Sequence, residues 1–342
     1  MLRIGLVGSG FMGGIHAAGW MRLRHAELPV DVIGCCSLDS VSSTRLADQY
    51  GFALYNTLDE LIDASDVIDV CSPTYLHFEH ASRAALAGKH VVCEKPLART
   101  VEDAAALVAL CERAGVNLLV GHVVRFFPEY AAAKGIVERG EIGDVAIIRL
   151  TRCSFKPQAD HPESWFHVPE YSGGMMLDLM IHDFDYARWI GGEVTRVFAR
   201  HIGARAGSGG DYALVTLRHA SGAISHVEGG WAYPKPMFRT ALEIAGSEGL
   251  IEHPAGRANP VNVYLHQRAG GDAPPDIAVP GNPLLPEDDP YMVEIQHFYE
   301  VLTGTATPRV SARDGLAAVQ IALAAIQSAE SGRPVTLDET SP

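Results

Sequence analysis

Hydrophobic positions along the first 120 residues follow two alternating patterns. Runs such as "VDVIGCC", "VIDVCSP", "KHVVCEKP" and "VNLLVGH" are short and almost wholly apolar, as strands covered on both faces are. Between them, "SSTRLADQYG", "YLHFEHASRAALAGK" and "VEDAAALVALCERAG" carry apolar residues at helical spacing, and the last two meet a closing glycine or its neighbour. This alternation predicts an open, doubly wound, mainly parallel sheet, whose ligands lie beyond the carboxyl ends of its strands. After Gly121-His122 the pattern changes. "VAIIRLTRCS", "DYALVTLRHA", "AISHVEGGWAY" and "TALEIAGSEGLIEH" alternate partly between apolar and polar residues and are separated by turn residues. They predict an α+β domain on a large, mainly antiparallel sheet with one covered face. "RAGGDAPPDIAVPGNPLLPEDDP" reads as a loop, either a passive surface connection or a lid around 268–290. "SARDGLAAVQIALAAIQSAESG" has cap chemistry at its start and a glycine at its end, so it predicts a closing helix over about 312–331.

The totals agree with two domains, read as 1–122 and 123–342, since 342 residues exceed one typical core. A composition of 47% hydrophobic and 20% charged residues is that of a globular protein. The net charge of −14 argues against nucleic acid or an anionic membrane as partner. Six cysteines without a C-x-x-C pair, most of them inside apolar runs, read as buried hydrophobes in a reducing compartment. The amino terminus leads straight into a strand, and no apolar run approaches the ~18–20 residues of a membrane span. A cytoplasmic location is the expectation.

Candidate chemistry sharpens this picture in two places. The first is "LRIGLVGSGFMGGIHAAGWM", a strand followed by Gly8-x-Gly10-x-x-Gly13 and an alanine-rich helix. Gly8 suits a tight turn, Gly10 a close approach to a pyrophosphate, and Gly13 the packing of helix on strand. The amides of Phe11 and Met12 at the helix start would then face phosphate. The other strand ends carry Ser37-Leu38-Asp39, Ser72-Pro73-Thr74 and Glu94-Lys95-Pro96. Ser37 stands where an acid would accept the adenosine ribose hydroxyls, and Asp39 follows two residues on. The reading is NAD or NADP, with NAD slightly favoured.

The second place is "DLMIHDFD". On a continuous helix Asp178, His182 and Asp185 fall within about 60° of one another, at ~100° per residue, with Leu177, Met180, Ile181 and Phe184 on the flank. Aspartate is a poor helix-interior residue, so this stripe is either a solvated face or a site. A metal pair at i, i+4 is a weaker reading: the sequence nearby offers no convincing third ligand, and the metal expectation is none.

Taken together, "GLVGSGFMGGIHAAG", "VIDVCSPTYLH", "VVCEKPLA", "GHVVRFFPEY", "SGGMMLDLMIHDFD" and "ALEIAGSEG" resemble the glucose–fructose oxidoreductase / inositol dehydrogenase / rhizopine-catabolism (Gfo/Idh/MocA) family. The resemblance implies a Rossmann domain followed by an α/β domain that often makes the oligomer contact, so a homodimer or homotetramer is expected. It implies an NAD(P)-dependent oxidoreductase acting on a hydroxyl-bearing carbon of a sugar, polyol or inositol-like cyclitol. The catalytic set it implies is Lys95, Asp178 and His182, with a cis bond before Pro96. Beside the cofactor, His77, Glu94 and Arg125 are further candidates, and the resemblance adds Trp165; Phe166 stands where many members carry arginine. Arg125 can equally pair with Glu129, and Glu94 can shape its turn. His161 and Tyr171 are candidates for the substrate pocket beside Lys95, Arg125, Asp178 and His182. The chemistry agrees with the set, because an alcohol must lose a proton as hydride leaves and a neutral histidine is poised to take it near pH 7. Two other readings stay open. One is an NAD-retaining glycosidase or eliminase that oxidises its substrate only transiently, and the other is a sensing protein without turnover.

Overall fold

A computed structural model describes residues 1–157, 163–203, 210–253 and 289–337. His161 and the expected loop up to residue 288 lie outside the described residues. Contacts group the chain into two units, Met1–Phe127 with Leu284–Val319, and Pro128–Pro283 with Gln320–Pro342.

The first unit contains β1 (Leu2–Val7), α1 (Phe11–His25), β2 (Val30–Cys36), α2 (Ser40–Tyr50), β3 (Ala53–Leu54), α3 (Leu58–Ala64), β4 (Val67–Val70), α4 (His77–Leu86), β5 (His90–Glu94), α5 (Val101–Ala114) and β6 (Leu118–Gly121). Its six strands are all parallel, in the Rossmann order β3-β2-β1-β4-β5-β6. The four apolar runs read from the sequence are β2, β4, β5 and β6; β3, two residues long, gave no such signal. Side chains set the helix starts: Asp39 caps α2, Thr57 and Glu60 form a capping box on α3, and Thr100 caps α5.

The second unit begins with α6 (Pro128–Glu138) and β7 (Val145–Ser154). It continues through α7 (Pro169–Ser172), α8 (Gly174–Asp178) and α9 (Ile181–Gly191) into β8 (Val194–Ile202), β9 (Asp211–His219), β10 (Ile224–Trp231), β11 (Phe238–Gly246) and β12 (Leu250–His253). The chain then adds α10 (Pro290–Leu302), α11 (Ala312–Ser331) and β13 (Val335–Thr336). The second sheet runs β12-β11-β7-β10-β9-β8-β13, antiparallel except where β10 pairs parallel with β7. Its strands bury alternate residues, among them Leu150, Val215, Leu217, Val227 and Ile244. The opposite face carries the Arg149–Glu243 and Tyr212–Glu228 pairs.

The boundary differs from the one read at residue 122. Helix α10 belongs with the first unit, where Ile295 and Phe298 join Ile4, Leu6, Trp20, Val67 and Val92 in one core. Gly19 of α1 makes room for it, since a Cβ there would lie 2.9 Å from Ile295 Cγ1. A helix that buries its apolar face against an element hundreds of residues away leaves no local signal of its destination.

Candidate active site

The glycine turn has the shape its spacing calls for. Gly8 has φ +97°, open to glycine at little cost, and a Cβ there would lie 2.6 Å from the Cys71 carbonyl oxygen. A Cβ on Gly13 would collide with the Gly8 carbonyl, whereas one on Gly10 would meet nothing within 4 Å. Gly10 is the N-cap of α1 and has no side chain, so no cap side chain takes the first amides of the helix, at Phe11 and Met12. The cradle therefore fits a dinucleotide pyrophosphate.

The remaining strand ends lie beside it in the sheet. Ser9 donates to Ser37 Oγ at 2.9 Å, and the Asp39 amide donates to the same oxygen at 3.2 Å. Asp39 accepts from the amides of Val41 and Ser42 at 3.1 Å each and from Ser42 Oγ at 2.6 Å. Those bonds, led by the Ser42 hydroxyl, hold its pKa below the usual carboxylate value. At the end of β4, Ser72 Oγ lies 2.9 Å from His80 Nδ1, and Pro73 leads into a 3₁₀ turn at Thr74–Leu76. His77 is buried, with Nδ1 2.7 Å from the Pro96 carbonyl and Nε2 2.8 Å from the Ser72 carbonyl. Its ring thus ties the loop after β4 to the loop after β5. Burial lowers its pKa against the opposing pull of the two carbonyls.

At the end of β5 the Lys95–Pro96 bond is cis. The Lys95 amide donates to Glu94 Oε2 at 3.1 Å, which gives Glu94 the turn-shaping role. Arg125, in a 3₁₀ turn at Val123–Phe126, is buried and donates to the Arg309 carbonyl at 2.8 Å and to Asp314 Oδ2 at 3.3 Å. These bonds anchor the segment before α11 and the first turn of that helix.

In the second unit, the continuous helix expected over residues 178–185 is broken. Helix α8 ends at Asp178 and α9 starts at Ile181, although Leu179 and Met180 between them keep right-handed helical dihedrals. Met180 lies against β10 at Gly229, where any Cβ would collide with it. Asp178 and His182 are half-buried on either side of this junction. Asp185 does not share their exposure and is buried. Asp183, also buried, accepts from Arg152 Nε at 2.7 Å and Nη2 at 3.1 Å. Burial raises its pKa, and the Arg152 charge opposes the rise. An aspartate outside the predicted stripe is thus half of an internal ion pair that fastens α9 to β7. Upstream, Trp165 stacks on Phe166 at 4.0 Å between ring centres, and Tyr171 stands 45% exposed on α7.

Sequence reasoning passed over three groups in the first unit. His16, Asp69 and Glu294 are all buried, and His16 lies between Asp69 and Glu94. The signal for Asp69 was available: an acid inside the apolar run "VIDV" needs a partner.

A parallel sheet in this order, with a glycine cradle after its first strand, defines a dinucleotide-binding protein, and comparison with known proteins gives its family. Residues 2–122 match the model described as "Oxidoreductase family, NAD-binding Rossmann fold", and residues 130–252 match the "GFO/IDH/MocA C-terminal domain". The chain is 32% identical to myo-inositol 2-dehydrogenase of Thermotoga maritima over 99% of both chains. It is similar to the structure of a levoglucosan dehydrogenase in complex with NADH and levoglucosan, with TM-score 0.82, 26% identity and coverage of 99% of this chain and 100% of that one. It is also similar to GenD2 from gentamicin A biosynthesis in complex with NAD, with TM-score 0.83, 26% identity and coverage of 98% and 96%. The chain belongs to the Gfo/Idh/MocA oxidoreductase family, and it is an NAD-dependent oxidoreductase. Among the described residues, no helix is long and apolar enough to cross a membrane.

Proposed function

We propose that this protein transfers a hydride between one hydroxyl-bearing carbon of a sugar, polyol or inositol-like cyclitol and the nicotinamide, with Lys95, Asp178 and His182 as its catalytic residues. The observation that carries the reading is the seat of Lys95. It follows β5, two strands from the Gly8 turn in the sheet, with its backbone tied to buried Glu94. The relatives named for myo-inositol and levoglucosan support the substrate class. Bound NAD supplies the hydride acceptor. His182 takes the hydroxyl proton as the carbon–hydrogen bond breaks, Asp178 orients the substrate or the imidazole, and the Lys95 ammonium stabilises the developing alkoxide. Trp165 borders the nicotinamide and Tyr171 the sugar, and a second copy of the chain joins through the second sheet.

Reduction of NAD and NADP is measured against a panel of inositols, anhydrosugars, aldoses and linear polyols, with Lys95→Ala as control. The expected outcome is stoichiometric NADH from one compound class, with turnover lost and NAD binding kept in Lys95→Ala. Substrate consumption without net NADH would mark a redox-neutral eliminase instead. Full turnover in Lys95→Ala would remove the catalytic assignment.

A further inference from the structure

One buried polar group inside the first unit is not used by the mechanism above. His16 lies on the buried face of α1, 1% exposed, with both ring nitrogens on carboxylates. Nδ1 is 2.9 Å from both oxygens of Asp69 on β4, and Nε2 is 3.1 Å from Glu94 Oε1 at the end of β5. A carboxylate offers only acceptors, so two such contacts require both ring nitrogens to carry hydrogen. Burial alone would lower the pKa of His16, but the Asp69 charge, the Asp69 hydrogen bonds and Cys71 together outweigh it and hold the ring well above its ordinary value. Asp69 also accepts from Trp20 Nε1 at 2.7 Å and from the Cys71 thiol at 3.5 Å, and burial pushes that thiol far up, so it stays protonated. His16, Asp69 and Cys71 bring their polar atoms within 4.8 Å of one another, a spacing that could serve a metal, but these hydrogen bonds already occupy them. From α10, Glu294 adds a fully buried carboxyl with no hydrogen-bond partner among the described residues. Burial, and then the Glu94 charge, raise its pKa well above the usual value.

The network leads out of the core through one group. Glu94 Oε1 faces His16, and Glu94 Oε2 takes the amide of Lys95. A side chain at Gly121 would crowd the same carboxylate, with a Cβ 2.9 Å from Oε1. We propose that His16 is a positioning residue: a ring carrying hydrogen on both nitrogens that clamps Glu94 to Asp69 and thereby fixes the turn presenting Lys95. The assignment rests on the reading of Lys95 as catalytic. The same clamp ties α1, the helix of the glycine cradle, to the Lys95 turn, so one ring sets the relative placement of both.

The test uses the full-length protein with 15N-labelled histidine. The His16 signals, assigned by contact with the Trp20 indole, should show both ring nitrogens protonated at about pH 8, where an ordinary histidine is almost wholly neutral. A single N–H there overturns the proposal without any variant. Glu94→Gln and His16→Gln should keep NAD binding and the KM for the sugar while kcat falls about 10- to 100-fold, the scale of a misplaced catalytic group. Glu94→Gln should also lower the pH at which His16 loses its second proton, which a merely structural role for Glu94 would not do. Native kcat in folded variants overturns the clamp while leaving Lys95 catalytic. Turnover surviving in Lys95→Ala instead overturns the reading on which the clamp rests.

Discussion

Each unit hides a cation between its sheet and a helix, and the two cations differ in kind. In the second unit Arg152 on β7 meets Asp183 of α9 through two hydrogen bonds, with Tyr130 alongside. In the first, His16 sits between two carboxylates from neighbouring strands. A guanidinium keeps its charge at every accessible pH, so the first kind of pair is fixed once the chain folds. An imidazolium persists only because its neighbours hold the proton, so the second kind is conditional. The permanent charge fastens a helix to a sheet. The conditional one stands behind the turn that bears Lys95.

Removing the permanent cation should have the larger effect. Arg152→Ala leaves Asp183 buried without its charge partner and is expected to cost about 3–5 kcal/mol in urea unfolding. A loss under 1 kcal/mol would mean that the pair is not what fastens α9. The conditional cation should betray itself through pH. The folded pKa of His16 lies above its unfolded value, so its stabilisation is complete below about pH 6.5 and fades as pH rises through the folded pKa. The stability gap between the native protein and His16→Gln should therefore shrink towards alkaline pH, while the gap for Arg152→Ala should not follow that course. A His16→Gln gap that is flat with pH would place the ring in its neutral form. The smallest effect sets the scale of a bond that involves no buried charge. Thr100→Ala removes the cap that accepts from the Asp103 amide at 3.1 Å and should cost about 1 kcal/mol, measured in the same way.

The two units were also unequally legible in the sequence. Strands covered on both faces announce themselves as apolar runs, and β2, β4, β5 and β6 were all readable so. In the second unit β8, "VTRVFARHI", carries three charged or histidine residues among its nine and was passed over. The glycine cradle was legible because its three positions answer to backbone geometry, which spacing reports directly. The broken helix at Asp178 to Ile181 was not: at the junction Met180 packs on Gly229 of a strand that comes later in the chain, and local spacing carries no trace of that contact. His16 escaped for a similar reason. A lone histidine in an alanine-rich helix carries no pattern, and its meaning depends on Asp69 and Glu94, which only the parallel sheet brings together.

The discontinuity of the first unit has a consequence for synthesis. Residues 1–127 carry the whole parallel sheet, yet Ile295 and Phe298 of α10 complete the core beneath Trp20. At typical elongation rates those residues leave the ribosome on the order of ten seconds after the sheet does. For that interval the nascent chain holds a finished set of strands with an uncovered apolar patch, a natural client for a chaperone. A fragment ending at Phe127 should therefore be captured by a hydrophobic dye such as ANS more strongly than the full chain.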